Sequence, residues 1–261
     1  MLSFREKIEG AVSKKEALFD ESIGRSGLRS LLAGAYLTMT AAAGLVGADL
    51  IAGQFPVLPR FVLATILSVA IIYILFLNVE LSTSNMMFLT VGAFYKKISF
   101  AKATKILLYC TVMNFVGAAF LAFLFSSSFS FLGVKDTGFL ATAVKIKLAK
   151  SDWTNFTEGI IANMFVNLAV FGFLFAKDEI TKAIISYTAV FMFVFLINEH
   201  VIANFSIFML AAFSPLENIP GFTPLNVLRQ WGVVFLGNWV GAALIGLAYA
   251  YLNETKTNYK D

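Results

Sequence analysis

Side chains able to do chemistry are sparse along this chain of 261 residues, and they gather in two short runs. One reads Asn78-Val79-Glu80-Leu81-Ser82-Thr83-Ser84-Asn85 and the other Asn198-Glu199-His200-Val201-Ile202-Ala203-Asn204. The second holds His200, the only His in the sequence. Imidazole is the one side chain whose ordinary pKa, about 6.5, lets it change charge near neutral pH. The chemistry on offer is therefore a proton transfer, or a strong hydrogen bond, to a weak acid. One His and one Cys (Cys110) exclude an intrachain disulfide and a Cys/His zinc site, so no metal or cofactor is expected. No Gly-rich phosphate loop, His-Glu-x-x-His or Gly-x-Ser-x-Gly pattern occurs, which argues against an enzyme.

Both runs lie in apolar text. Hydrophobic residues make up 59% of the chain and charged ones 14%, with a mean hydropathy of +0.79. Soluble domains carry roughly 25% charged residues, so this composition suits a lipid bilayer. The net charge of +4 comes from scattered Lys and Arg, so nucleic acid is not an expected partner. A span needs about 20 apolar residues. Residues 31–50, 61–95, 106–125, 160–176, 183–214 and 231–252 supply six such stretches.

The expected organisation is an N-terminal amphipathic cytoplasmic segment over 1–30, a six-helix transmembrane channel domain over 31–252 and a cytoplasmic tail over 253–261. Residues 1–29 lack the apolar core and cleavage site of a leader. Leu2, Phe4, Ile8, Val12 and Leu18 recur there at near-helical spacing among Lys7, Lys14 and Lys15. That pattern reads as a helix on the membrane surface, with a frayed polar tail as the alternative. Of the 20 Lys and Arg, 14 fall in the terminal segments and in the loops on their side, which puts both termini in the cytoplasm. Pro56, Pro59, Pro215, Pro220 and Pro224 then all lie in outer loops, where Pro ends a helix.

Two spans are too long. At a rise of 1.5 Å per residue, 61–95 would run about 52 Å and 183–214 about 48 Å, against a hydrocarbon core of roughly 30 Å. Each carries one of the polar runs near its centre, and an intramembrane carboxylate is a functional candidate by default. The economical reading is two broken helices. Glu80 and Glu199 read as structural groups that tie the breaks to backbone donors or neighbouring helices, in preference to acid/base groups. The chain also repeats itself: Asn114-Phe115-Val116-Gly117-Ala118-Ala119-Phe120 is echoed by Asn238-Trp239-Val240-Gly241-Ala242-Ala243-Leu244. Three spans separate the copies, so they run in opposite directions, as in a 3+3 inverted repeat. Asn114 and Asn238 could each hydrogen-bond a neighbouring helix or a freed backbone group. Chance likeness in Gly/Ala-rich apolar text is the alternative.

At these residues the sequence resembles the formate/nitrite transporter family. That family's second-span signature approximates Gly-Ala-(Asp/Glu)-Leu-Phe-Thr-(Ser/Gly)-Asn, and its fifth-span signature approximates Phe-Glu-His-(Ser/Cys/Val)-(Ile/Val)-Ala-Asn. The matching stretches are Glu80-Leu81-Ser82-Thr83-Ser84-Asn85 and Glu199-His200-Val201-Ile202-Ala203-Asn204. Gly159-Ile160-Ile161-Ala162-Asn163, with Lys147 upstream, and Gly237-Asn238 are similar too. The likeness covers essentially the whole chain.

The resemblance implies an all-α membrane protein: an aquaporin-like protomer of six transmembrane helices, a homo-pentamer in a bacterial cell membrane, and one pathway per protomer. Carried over by position, His200 is the central pore histidine and Thr83 the hydroxyl opposite it. Asn163 and Asn204 are its polar neighbours, Lys147 the basic residue of an outer vestibule, and Leu81 part of an apolar constriction. A solvated loop charge is an equal reading for Lys147. Ser82 and Asn198 stand where the family usually carries Phe, and Asn78-Val79 where it usually carries Gly-Ala. These changes are expected to widen and wet the constriction, admitting monocarboxylates larger than formate, lactate included.

The expected function is a passive, proton-linked channel for small monovalent anions and weak acids, formate first, with acetate and lactate beside it. Nitrite and hydrosulfide are alternatives within the family. An alternating-access carrier, a membrane-embedded enzyme and a structural membrane protein are the remaining ones. Lysines at the mouth would gather the anion. It would then meet His200 and Thr83, accept a proton or a strong hydrogen bond, and cross as the neutral acid. A permanently neutral His200 that only donates a hydrogen bond fits equally well.

Overall fold

Backbone crossing a bilayer must satisfy its own N–H and C=O groups, and apolar runs of this length do so as helices. The computed structural model describes residues 3–55 and 57–253; Leu2, Pro56 and positions 254–261, nearly all of the expected tail, lie outside the described residues. The helices are α1 (Phe4–Glu21), α2 (Ile23–Ala52), α3 (Pro59–Leu67), α4 (Val69–Phe76), α5 (Ser82–Phe94), α6 (Phe100–Ser126), α7 (Phe129–Leu132), α8 (Phe139–Ala149), α9 (Asp152–Phe175), α10 (Glu179–Phe195), α11 (Val201–Phe213) and α12 (Pro224–Leu252). No strand occurs among the described residues.

Helices α2, α6, α9 and α12 and the α3–α4 pair are each long and apolar enough to cross a membrane. The two over-long stretches are broken. The second span is α3–α4, an interruption and α5; the fifth is α10, an interruption and the short apolar α11. The first span's helix already starts at Ile23, inside the segment read as N-terminal.

The two halves repeat. α6 packs on α2 as α12 packs on α9, while α11 crosses to α6 and α5 crosses to α12. Glycine permits this closeness. A Cβ at Gly117 would strike the Leu31 carbonyl, and one at Gly241 would strike the matching Ile160 carbonyl in the other half. The sequence echo around Gly117 and Gly241 is thus the footprint of one packing contact used twice.

Helix α1 departs from the expected surface helix. Ser3 caps it, accepting from the Glu6 N–H while the Glu6 carboxylate accepts from the Ser3 N–H. Its buried stripe of Phe4, Ile8, Val12 and Phe19 packs on protein, among Met87, Val91 and Phe171. Lys7 donates to the Leu174 carbonyl, and Asp20 pairs with Lys102. An amphipathic stripe satisfies itself on any apolar surface, and here the end of the bundle is that surface. The connection between the third and fourth spans likewise folds inward as α7 and α8. Asp49, near the end of α2, accepts from the Phe139 N–H at 2.7 Å and so holds the start of α8.

Overpacking a tight helix contact costs about 1–3 kcal/mol, and a destabilisation of 1 kcal/mol lowers Tm by about 2–4 °C in a chain of this size. Gly117→Val and Gly241→Val should therefore each lower the Tm of detergent-purified protein by several degrees. Gly232→Ala, where a Cβ meets nothing within 4 Å, should leave it unchanged or slightly higher.

Candidate functional site

Each broken helix stops in the same way. Asn78 has φ +52° and Ile197 φ +58°, both left-handed. The Asn78 and Val79 N–H groups reach back to the Leu75 and Ile74 carbonyls, as the Ile197 and Asn198 N–H groups reach back to Val194 and Phe193. These are two copies of one helix-terminating turn. Asn tolerates the left-handed region, whereas a β-branched Ile there is strained by about 1–3 kcal/mol. The chain then runs extended to Leu81 (ψ 123°) and His200 (ψ 119°), and α5 and α11 begin.

The freed backbone is satisfied by one amide per half. Asn114 Oδ1 accepts from the Ser82 N–H at 2.9 Å, while its Nδ2 donates to the Ser30 and Glu80 carbonyls at 2.6 and 2.9 Å. Asn238 Oδ1 accepts from the Val201 N–H at 2.9 Å, and its Nδ2 donates to the Gly159 and Glu199 carbonyls at 2.8 and 3.0 Å. The carboxylates match as well. Glu80 Oε2 accepts from Asn85 Nδ2 at 2.8 Å and Lys15 Nζ at 2.6 Å. Glu199 Oε2 accepts from Asn204 at 2.7 Å, Lys147 at 2.9 Å and Gln230 at 3.0 Å, and Lys150 reaches Oε1 at 2.7 Å. A fully buried carboxylate is tolerable only with such pairing.

His200 caps α11: its Nδ1 accepts from the Ala203 N–H at 3.2 Å. The ring proton therefore sits on Nε2, which lies 2.8 Å from Thr83 Oγ1 on the opposite half-helix. Behind Thr83, Asn163 Nδ2 donates to the Thr83 carbonyl at 3.1 Å and the Asn238 carbonyl at 2.8 Å.

Three cavities follow one another through shared walls. At the α8 end, one of about 280 Å³ is lined by Arg60, Lys147, Phe193, Asn198, His200 and Asn204, among others. A waist of about 10 Å³ follows, bounded by Leu37, Ile74, Leu81, Val190, Phe193 and His200. That is the size at which a cavity barely holds one water. At the α1 end, a cavity of about 480 Å³ is lined by Lys7, Lys14, Lys15, Arg29, Glu80 and Leu81. Phe193 and His200 belong to both the first cavity and the waist, and Ile74 and Leu81 to both the waist and the last cavity. Leu81 and His200 are also the N-caps of α5 and α11, so two helix N-termini converge on the waist.

The structure brings His200 and Thr83 into contact and sets Leu81 at the waist. Lys147 and Asn204 lie on Glu199 and face the α8-end cavity. Ser82 is buried with its hydroxyl unpaired among the described residues and lines none of the three spaces; Asn198 lines the α8-end cavity and not the waist. Sequence reasoning misses Phe193, Ile74, Arg60, Lys15 and Gln230. Phe193 is one of 28 Phe, and no spacing singles it out. Lys15 carries a usable signal, a cation on an amphipathic helix in a chain with an uncompensated intramembrane Glu.

Fold and site together define a multi-pass membrane transport protein built from two inverted halves. Residues 4–252 match the family described as Formate/nitrite transporter, and the chain belongs to that family. It is 30% identical over 174 residues to the formate channel BtFdhC of Bacillus thuringiensis, a match spanning 65% of this chain and 64% of that one. It is 28% identical to the nitrite transporter NirC of Escherichia coli, over 75% of this chain and 72% of that one. Among solved structures, one titled "FNT family ion channel" superposes with a TM-score of 0.88 at 24% identity, covering 95% of this chain and 97% of that one. Another, titled "Pentameric formate channel with formate bound", gives 0.77 at 21%, covering 87% and 96%. The architecture is shared with both.

Truncating either clamp strands the buried first N–H of a half-helix, at about 1–3 kcal/mol, and removes the amide's bonds to the carbonyl at the break and to the neighbouring helix. Asn114→Ala and Asn238→Ala should therefore destabilise the protein comparably, by several kcal/mol, seen as a large Tm loss or as failure to purify as a monodisperse species. A neutral effect at either position would contradict the clamp.

Proposed function

We propose that the protein is a passive, proton-linked channel for small weak acids, with formate the first substrate and acetate, lactate and nitrite in the same class. In this reading it works as a homo-pentamer with one pathway per protomer, in a bacterial cell membrane, with both termini in the cytoplasm. The carrying observation is the apolar waist of about 10 Å³, whose one lining residue with a polar side chain is His200, itself hydrogen-bonded to Thr83, set between two cavities with cations in their walls. Relatives named as formate channels and nitrite transporters, and a structural neighbour titled as pentameric, support the substrate class and the assembly.

Magnitudes decide the form that crosses. Stripping water from a carboxylate costs several kcal/mol even after relaxation, while each helix N-terminus at the waist returns about 0.3–1 kcal/mol. The anion is therefore concentrated in the basic cavities and traverses the waist as the neutral acid. His200 keeps its single ring proton, because Nδ1 is committed to the Ala203 N–H. Its task is to hold the Thr83 hydroxyl in place, while the proton enters from water with the substrate.

In proteoliposomes, formate flux at fixed total formate should rise about tenfold per pH unit on acidification, as the neutral fraction of a carboxylic acid does above its pKa. His200→Asn keeps an acceptor to cap α11 and removes the titratable ring, so its flux should follow the same pH slope as the parent. A slope that flattens in this variant between about pH 5 and about pH 8 would instead assign the transferred proton to the ring.

A further inference from the structure

We propose that Lys150 is a positioning residue for His200: it holds the turn at the end of α10 in a conformation that the turn's own residue disfavours, and the turn so held delivers the ring to Thr83. The two terminating turns share a backbone course but differ in the residue that takes the left-handed position. Asn78, in the first, is of a type that enters that region readily, whereas Ile197, in the second, is β-branched and strained there. Only two residues separate Ile197 from His200, the N-cap of α11, so the direction the turn imposes passes almost directly to the ring. A turn that relaxed toward ordinary strand dihedrals would carry His200 away from the Thr83 hydroxyl, which lies 2.8 Å from Nε2.

The added restraint in the second half is a lysine. Lys150 lies in the two-residue connection between α8 and α9, with 13% of its side chain exposed. Its Nζ donates to the Ile197 carbonyl at 2.6 Å and to Glu199 Oε1 at 2.7 Å, and it also pairs with Glu158 on α9. An ammonium has three N–H donors, and these three acceptors use them all. Lys150 is thus committed to protein groups, and one of them is the carbonyl of the strained residue itself. A hydrogen bond from a charged donor is comparable in strength to the strain of one left-handed β-branched residue, so the tether is strong enough to hold the turn. The first half has no such tether. Three residues beyond Lys15, α1 carries Leu18, whereas three residues beyond Lys147 the chain carries Lys150. Lys15 reaches Glu80, and among the described residues no side chain donates to the Asn78 carbonyl. The half whose turn holds an Asn lacks the second lysine, and the half whose turn holds an Ile has it.

His200 is the only His in the chain, so it supplies its own readout, one that does not depend on which solute crosses. Nuclear magnetic resonance of the full chain in detergent, with isotope-labelled histidine and the affinity tag removed, should show one imidazole pattern, that of the Nε2–H tautomer. Lys150→Met keeps a long side chain and removes the donors, and its His200 signal should move by more than a linewidth or split. Ile197→Asn, which gives the second turn the residue type of the first, should leave the signal in place by itself. In the double variant it should return the signal to the parent position, although the lysine is still missing. That rescue separates positioning from charge, because loss of the lysine's field alone would displace the signal equally with and without Ile197→Asn. An unchanged signal in Lys150→Met overturns the proposal, as does a signal that stays displaced in the double variant. If Lys150→Met yields no monodisperse protein, recovery of the double variant supports the tether, and failure of the double variant overturns it.

Discussion

A helix interrupted at bilayer depth leaves backbone donors and acceptors that lipid cannot satisfy, and the rest of this structure follows from how two asparagines meet that demand. One carboxamide has both an acceptor and a donor end, so Asn114 and Asn238 can each take the first N–H of a restarting half-helix, the carbonyl freed at the break and a carbonyl of the neighbouring helix. To reach them, α6 must lie almost on α2 and α12 almost on α9. The small residues after each Asn therefore become a requirement, with Gly117 against Leu31 and Gly241 against Ile160. The carboxylates then follow as a second tier. Glu80 and Glu199 hold the side chains of Asn85 and Asn204, and each is neutralised by lysine from outside the spans.

Function enters where the symmetry lapses. Counted from the two turns, Leu81 and His200 occupy the same place, yet one is an apolar wall and the other an N-cap whose ring N–H meets the Thr83 hydroxyl. In the first half α2 carries Gly34, whose missing Cβ leaves space for the Asn114 carbonyl; in the second, Asn163 of α9 donates to the Asn238 carbonyl and braces the Thr83 backbone. The scaffold is built twice, and the His200–Thr83 contact is built once, beside the narrowest point.

Much of this is legible in the amino-acid sequence. Over-long apolar runs with polar centres read most economically as broken helices, and the Asn-Gly echo separated by three spans runs antiparallel to itself, so the fold follows from spacing, while the pairing of His200 with Thr83 follows from the family resemblance. The lining of the waist does not. Ile74 and Phe193 line it from the last turns of α4 and α10, a matter of tertiary packing that hydropathy does not encode. The surface on which α1 spends its apolar stripe is equally hidden, since Phe4, Ile8 and Val12 would suit lipid or protein alike. By its place in the motif Asn198 reads as part of the constriction, whereas the left-handed Ile197 aligns it with the wider cavity beyond.

Everything functional turns on what crosses the waist. In the proposed pathway, an apolar waist of about 10 Å³ lined by His200 and otherwise by aliphatic and aromatic side chains offers nothing that repays the hydration of a full negative charge. The most direct measurement is the charge moved per formate, taken in proteoliposomes from simultaneous recording of formate uptake, lumenal pH and membrane current. Passage as the neutral acid predicts one proton entering with each formate, no net current, and a flux indifferent to an imposed membrane potential. A formate-dependent current that scales with the potential, with no lumenal acidification, would show the bare anion passing and contradict it.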